Sequence, residues 1–139
     1  MARKDKVHPI VRTALERDGW LITHDLHYVK SFDADYEVDL GAEKLIAASK
    51  GTTKVAIEAK SFLKASFANE FHSALGQYLN YAALISVQEP DRKLYLAVSK
   101  VIFDNYFQQP ATAFVVKTYK VKLLIFNPLT EKIEEWLEE

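Results

Sequence analysis

Residues 36–62 read YEVDLGAEKLIAASKGTTKVAIEAKSF, and the second half of this stretch decides the fold. In residues 53–60 (TKVAIEAK) every second side chain is apolar, which predicts a strand with one face in the core. The alternate face carries Glu58 and Lys60. Charged side chains on a strand flanked by apolar sequence are costly to bury unless they are paired or serve a function.

Hydrophobic periodicity and turn signals divide the rest of the chain into helices and strands. Helices are predicted over 6–18, 41–50, 66–85, 101–107 and 110–120. Strands are predicted over 20–23, 36–40, 53–60, 94–98, 121–126 and 132–137. Residues 41–50 can also be drawn as a hairpin arm, but their Ala, Glu, Lys and Leu content and helical spacing favour a helix. The alternation predicts one α/β domain over residues 1–139, with a central mixed sheet flanked by helices.

Composition narrows the classes of function. The chain has 139 residues, 49% of them hydrophobic, no cysteine and a net charge of −1 at pH 7. No stretch approaches the roughly 20 apolar residues that a membrane span needs, so we expect a soluble, cytoplasmic protein without a membrane partner. Without cysteine, any metal must be held by oxygen or imidazole ligands. The near-zero charge argues against tight, non-specific nucleic-acid binding.

A carboxylate site is the strongest chemical signal. Alternation puts Glu58 and Lys60 on one face of their strand, about 7 Å apart from the rise per residue. If the segment bearing Asp39 lies alongside, two carboxylates would offer hard oxygen ligands to Mg²⁺ beside a lysine. Such a metal can polarise a phosphodiester and lower the pKa of a water. The alternative is a buried ion pair with a purely structural role.

Histidines and a further glutamate are weaker candidates. His8 precedes Pro9 at the start of the first helix, a position more typical of a surface or capping residue than of a metal ligand. His24 and His27 are expected in a loop and would need a third ligand. Glu16 falls opposite the apolar stripe and is expected to be solvated.

Longer motifs carry a resemblance. The segments VDLGAEKLIAASKG, AIEAKSF, FHSALGQYLNY, LYLAVS and LLIFNP followed by IEEW resemble the XisH family, named as a controlling factor for excision of the fdxN element in heterocystous cyanobacteria. The order of Asp39, Glu58 and Lys60 before a helix with Gln77 is similar to the PD-(D/E)xK nuclease superfamily. This resemblance implies a restriction-endonuclease-like fold.

The resemblance also implies roles for individual residues. Asp39 and Glu58 would bind Mg²⁺ or Mn²⁺, and Lys60 would be the catalytic lysine. Gln77 matches a glutamine that several superfamily branches place near the metal, with Tyr81 one turn later on the same helix face. The predicted helix over 41–50 departs from the pattern, because the superfamily usually has a tight hairpin there.

Three hypotheses of function follow. The first is a metal-dependent endonuclease that acts on DNA during programmed genome rearrangement. The second is a non-catalytic subunit that keeps the nuclease fold and binds DNA, a site-specific recombinase or an XisI-like protein, the companion that the resemblance implies. The third is a homodimer formed through the acidic C-terminal strand, residues 132–137.

Overall fold

In the computed structural model, which describes residues 6–27, 45–63 and 65–138, helices alternate with the strands of one mixed sheet. The helices are α1 (His8–Arg17), α2 (Phe67–Gln88), α3 (Lys100–Tyr106) and α4 (Pro110–Thr118). The strands are β1 (Leu21–His27), β2 (Leu45–Lys50), β3 (Thr53–Ala59), β4 (Arg92–Ser99), β5 (Leu123–Asn127) and β6 (Lys132–Leu137). The expected α/β architecture is confirmed.

The strands of the described sheet follow chain order from β1 to β6. The pairs β3–β4 and β4–β5 are parallel, and the other neighbours are antiparallel. Parallel strands need long crossovers, which α2 supplies between β3 and β4 and the α3–α4 pair supplies between β4 and β5. Strand β3 therefore lies inside the sheet, with a neighbour on each side.

Each face of the sheet packs into its own apolar cluster. The α2-side cluster includes Ala56, Tyr78, Tyr81, Leu96 and Ile125. The α1-side cluster includes Val11, Leu15, Ile57, Ala97 and Phe126. Because side chains alternate along a strand, Glu58 shares the α2 side with Ala56.

The longest helix, α2, begins at a side-chain cap. The Ser66 hydroxyl accepts a hydrogen bond from the Asn69 N–H at 3.2 Å, which satisfies one of the free amides of the first turn. Its buried stripe of Phe71, Ala74, Tyr78, Tyr81, Leu84 and Ile85 faces the sheet. No helix within the described ranges has the length and apolar character required to cross a membrane.

The helix predicted over 41–50 is wrong where the structure describes it. Residues Leu45–Lys50 form strand β2, which turns through Gly51 at φ +61° into β3. Ile46, Ala47 and Ala48 are fully buried between two neighbouring strands. Helix propensities differ by only a few tenths of a kcal/mol for such residues, so ladder hydrogen bonds and burial override them.

The other boundaries differ by a few residues. Strand β1 continues to His27, through residues expected to be irregular, because it pairs with β2 along its length. Strand β6 has the predicted limits of 132–137. The strand predicted over 36–40 lies outside the described residues.

Candidate functional site

Glu58 lies near the carboxyl end of β3, in the middle of the sheet. Its backbone pairs with Leu45 on β2 and with Leu96 on β4, and its side chain is 0% exposed. A buried ionised carboxylate is costly unless charges or hydrogen bonds compensate it. This position therefore demands a polar environment inside the α2-side layer.

Lys60 provides the first part of that environment. Its N–H donates to the carbonyl of Ala97 at 3.1 Å, which extends the ladder beyond the end of β3. Its Nζ lies 4.0 Å from Oε2 of Glu58, and the lysine side chain is 17% exposed. The prediction that both charges share one face is confirmed, and the amine connects the buried carboxylate to the surface.

Helix α2 contributes polar groups on the same side of the sheet. Gln77 follows Ala74 by three residues and precedes Tyr81 by four, so it lies beside the buried stripe of the helix and is half-buried. Its Oε1 is buried and has no hydrogen-bond partner among the residues that the structure describes. An amide oxygen left in this state is available to a ligand or water.

Tyr78 links this layer to the backbone of the sheet. Its hydroxyl donates to the carbonyl of Leu94 at 3.2 Å and accepts from the N–H of Lys122 at 3.0 Å. Burial raises the pKa of Tyr78, the Lys122 N–H opposes the shift, and the charge of Glu58 raises it further. The Glu58 carboxylate thus acts electrostatically on α2.

Phe62, just after the end of β3, has an unusual backbone conformation. Phe62 has φ +54°, a conformation that is rare for a bulky side chain, and is only 5% exposed. Its ring packs against Phe67 at 5.4 Å and Phe107 at 5.8 Å between centroids. These contacts hold the turn that directs the backbone away from β3, two residues after Lys60.

Asp39, the second predicted carboxylate, lies outside the described residues. Within 6–27, 45–63 and 65–138, no group of three or more His, Asp or Glu side chains is placed to hold a metal ion. The carboxylate of Glu58 and the Oε1 of Gln77 are oxygen donors of the type that Mg²⁺ prefers. The donor chemistry fits a magnesium ion, and the described part supplies an incomplete set.

A second buried polar cluster was not anticipated from the sequence. His8 is 2% exposed, and its Nε2 lies 2.7 Å from Oδ1 of Asp25 on β1. Arg12 donates to Oδ2 of the same carboxylate at 2.8 Å. The expectation of a surface or capping His8 is therefore wrong. The i, i+4 spacing of His8 and Arg12 was the available signal, but the strand position of Asp25 was needed to interpret it.

The remaining weak candidates do not form a metal site among the described residues. His24 and His27 lie in strand β1 and not in a loop, because β1 extends further than predicted. His24 is exposed and contacts the Thr23 hydroxyl. Glu16 is exposed on α1, as expected.

The sequence and the fold are both similar to known proteins. The model of the XisH protein family matches residues 1–134. The structure of an XisH family protein from Nostoc punctiforme PCC 73102 is 39% identical with a TM-score of 0.88, over 96% of this chain and 100% of that chain. The structure of an fdxN element excision controlling factor protein from Anabaena variabilis is 41% identical with a TM-score of 0.86, over 94% and 97%. No curated protein matches the chain.

Proposed function

Because the chain belongs to the XisH family, we propose that it acts in the excision of a DNA element, as a magnesium-dependent nuclease of the PD-(D/E)xK type. The excision role rests on the similar protein from Anabaena variabilis, which is named a controlling factor for fdxN element excision. The nuclease chemistry rests on the residues around Glu58.

One observation supports the nuclease proposal most strongly. The Glu58 carboxylate is fully buried in the central strand, and the Nζ of Lys60 lies within ion-pair distance of it, at 4.0 Å. A structural pair would be served equally well by two apolar residues of similar size. A reaction that needs a metal ligand and a cation together would use both charges.

In this proposal Asp39 and Glu58 hold Mg²⁺ or Mn²⁺, and the buried Oε1 of Gln77 supports the site. When bound, such a metal polarises the scissile phosphate and lowers the pKa of a water. Lys60, which reaches the surface, orients the attacking water or neutralises the charge that develops on the phosphate.

The corrected hairpin supports the resemblance to the nuclease superfamily. Strands β2 and β3 are joined by a tight turn at Gly51, where a helix had been expected. Leu45, six residues after Asp39, is the β2 partner of Glu58. Over residues 45–50, a strand thus stands where the predicted helix departed from the superfamily pattern.

A cleavage assay with metal titration tests the proposal. Linear and branched DNA are incubated with the protein and increasing Mg²⁺ or Mn²⁺, and products are resolved on denaturing gels. Glu58→Gln keeps the shape of the side chain and removes its charge, so we expect cleavage to fall by about 100-fold or more. Isothermal titration with Mn²⁺ should show weaker metal binding by the same variant.

The matched control is Glu16→Gln, which changes an exposed carboxylate on α1 and should cleave like the wild type. Circular dichroism establishes that both variants fold. Absence of cleavage by the wild type, or undiminished cleavage by folded Glu58→Gln, would show that the catalytic proposal is wrong.

A second candidate function is a non-catalytic subunit that binds DNA, a site-specific recombinase or an XisI-like protein. The net charge of −1 favours the protein-binding form of this role, since contacts with DNA phosphates require clustered cations. Size-exclusion chromatography with an XisI-like protein discriminates: a complex that forms unchanged with Glu58→Gln and Lys60→Met supports the binding role.

A further inference from the structure

Helix α4 covers little of the core and leaves apolar side chains in solvent. Of its nine residues, all described, Thr112 alone is buried. Phe114 is 71% exposed, and Tyr119, directly after the helix, is 53% exposed. Single exposed apolar residues are ordinary, whereas an exposed apolar helix beside an apolar groove marks a contact site.

A groove of about 410 Å³ lies beside α4. Its walls come from α3, α4, the start of β5 and the end of β6. The apolar lining consists of Phe103, Phe107, Ala113, Val116, Val121, Leu123 and Leu137. Lys117 also lines it, so the groove is apolar with a cation at its rim.

The end of the groove next to the C-terminus of α4 is basic. Residues 105–130 contain three lysines and no Asp, Glu or Arg. Lys117 lines the groove, and Lys120 is exposed where the chain turns towards β5. We call Lys117 and Lys120 the basic end.

The other end, where β5 finishes and α3 begins, is acidic. Lys100 is already paired with Asp104 at 2.8 Å, so the charges of Glu134 and Glu135 are in excess. Glu134 accepts a hydrogen bond from the Asn127 side chain, which ends β5. Glu135 pairs with Ile125 and lies on the same face as Leu137. We call Glu134 and Glu135 the acidic end.

We propose that this surface binds a second copy of the chain, with α4 of each protomer against the groove of its partner around a two-fold axis. A two-fold axis reverses the direction of the groove, so the basic end of one protomer meets the acidic end of the partner. An apolar centre between opposite charges is self-complementary, which a two-fold interface requires. The inference is independent of the nuclease chemistry.

One charge pattern favours this arrangement over the edge-to-edge pairing of β6. Glu134 and Glu135 on the edge strand would face like charges in a paired β6 ribbon, which is unfavourable. The chain as a whole is nearly neutral, so two copies do not repel each other at long range. The contact therefore uses the sheet face and α4, in contrast to the dimer through the C-terminal strand alone.

Sedimentation velocity on the whole chain tests the proposal. At about 50 μM we expect a species of twice the 15.9 kDa chain mass, since an interface of standard size gives micromolar or tighter affinity. Phe114→Glu should weaken the dimer by about 30-fold or more, as for a central anchor residue. The matched control is Leu21→Glu on β1, which is 67% exposed at the opposite edge of the sheet and should dimerise normally.

A charge exchange tests the two-fold arrangement directly. Lys117→Glu and Glu135→Lys should each weaken the homodimer, because each creates two like-charge contacts. Mixed together, the two variants should form a heterodimer, in which both contacts pair opposite charges. Crosslinking through an introduced cysteine gives a readout at a chosen position. Because the chain has no cysteine, Phe114→Cys and Ala113→Cys each carry a single thiol on α4.

Several results would overturn the inference. One is a monomer at every concentration tested. Another is a dimer that Phe114→Glu leaves intact while Leu21→Glu disrupts it. Failure of the two charge variants to associate with each other would exclude the two-fold pairing, and binding only to an acidic protein partner would replace the second copy as occupant.

Discussion

The Nζ of Lys60 lies 4.0 Å from Oε2 of Glu58, and the lysine alone of the two reaches solvent. The lysine can therefore rehydrate its charge, whereas the carboxylate depends on the protein around it. Removing the cation leaves the buried carboxylate with less compensation, and removing both charges avoids that cost. The two substitutions are consequently expected to be strongly non-additive.

Lys60→Met should lower the free energy of unfolding by about 3 kcal/mol, because it removes a cation beside a buried charge. Urea denaturation measures the change. Lys54→Met, on the exposed end of the same strand, is the control and should stay within about 0.5 kcal/mol of the wild type. Combining Lys60→Met with Glu58→Gln should cost less than the sum of the single changes. Simple additivity would contradict the ion pair.

Asp25→Asn should destabilise the protein by about 3 kcal/mol, because the carboxylate is 4% exposed and contacts both His8 and Arg12. Thermal unfolding followed by circular dichroism reports the loss. Glu16→Gln, which removes the exposed partner of Arg12 on α1, should have little effect. Equal effects of the two substitutions would mean that the cluster does not stabilise the contact between α1 and β1.

Tyr78→Phe should cost about 1–3 kcal/mol, because it deprives the carbonyl of Leu94 and the N–H of Lys122 of their hydroxyl partner inside the sheet. Chemical denaturation gives the value. The comparison is Tyr119→Phe, at a side chain that is 53% exposed, where water replaces any lost hydrogen bond. An unchanged midpoint for Tyr78→Phe would refute the bridging role of the hydroxyl.

Glu138 should make a pH-dependent contribution to stability. The hydrogen bond from Tyr95 at 2.6 Å, and then Lys93, lower the pKa of Glu138 below its ordinary value of 4.5. A lowered pKa stabilises the folded state above the unfolded pKa, and this stabilisation is lost as pH falls through the folded pKa. Because the carboxylate is 44% exposed, the effect is under about 1 kcal/mol.

The measurement is the stability difference between wild type and Glu138→Gln from pH 7 down to pH 3. We expect the difference to be greatest at neutral pH and to shrink below pH 4.5. A difference that grows on acidification would have the wrong sign for a lowered pKa.

The sequence alone determined the elements whose patterns are local. Helices α1 and α2 follow from apolar stripes with a period of 3.6, and β6 follows from alternation between two turn signals. The placement of Glu58 and Lys60 on one face of β3 also follows, because the period of two is a property of any extended strand. The similarity to one protein family was likewise readable from the motifs.

Tertiary structure decided what depends on neighbours. Residues Leu45–Lys50 have a composition that suits a helix, but as β2 they gain hydrogen bonds to both β1 and β3 and bury Ile46, Ala47 and Ala48. Asp25 meets His8 across 17 residues only because β1 lies beside α1. The complete burial of Glu58 and the open groove along α4 depend on which layers pack together. Local periodicity carries no information on such contacts, because they are set by packing between segments distant in the chain.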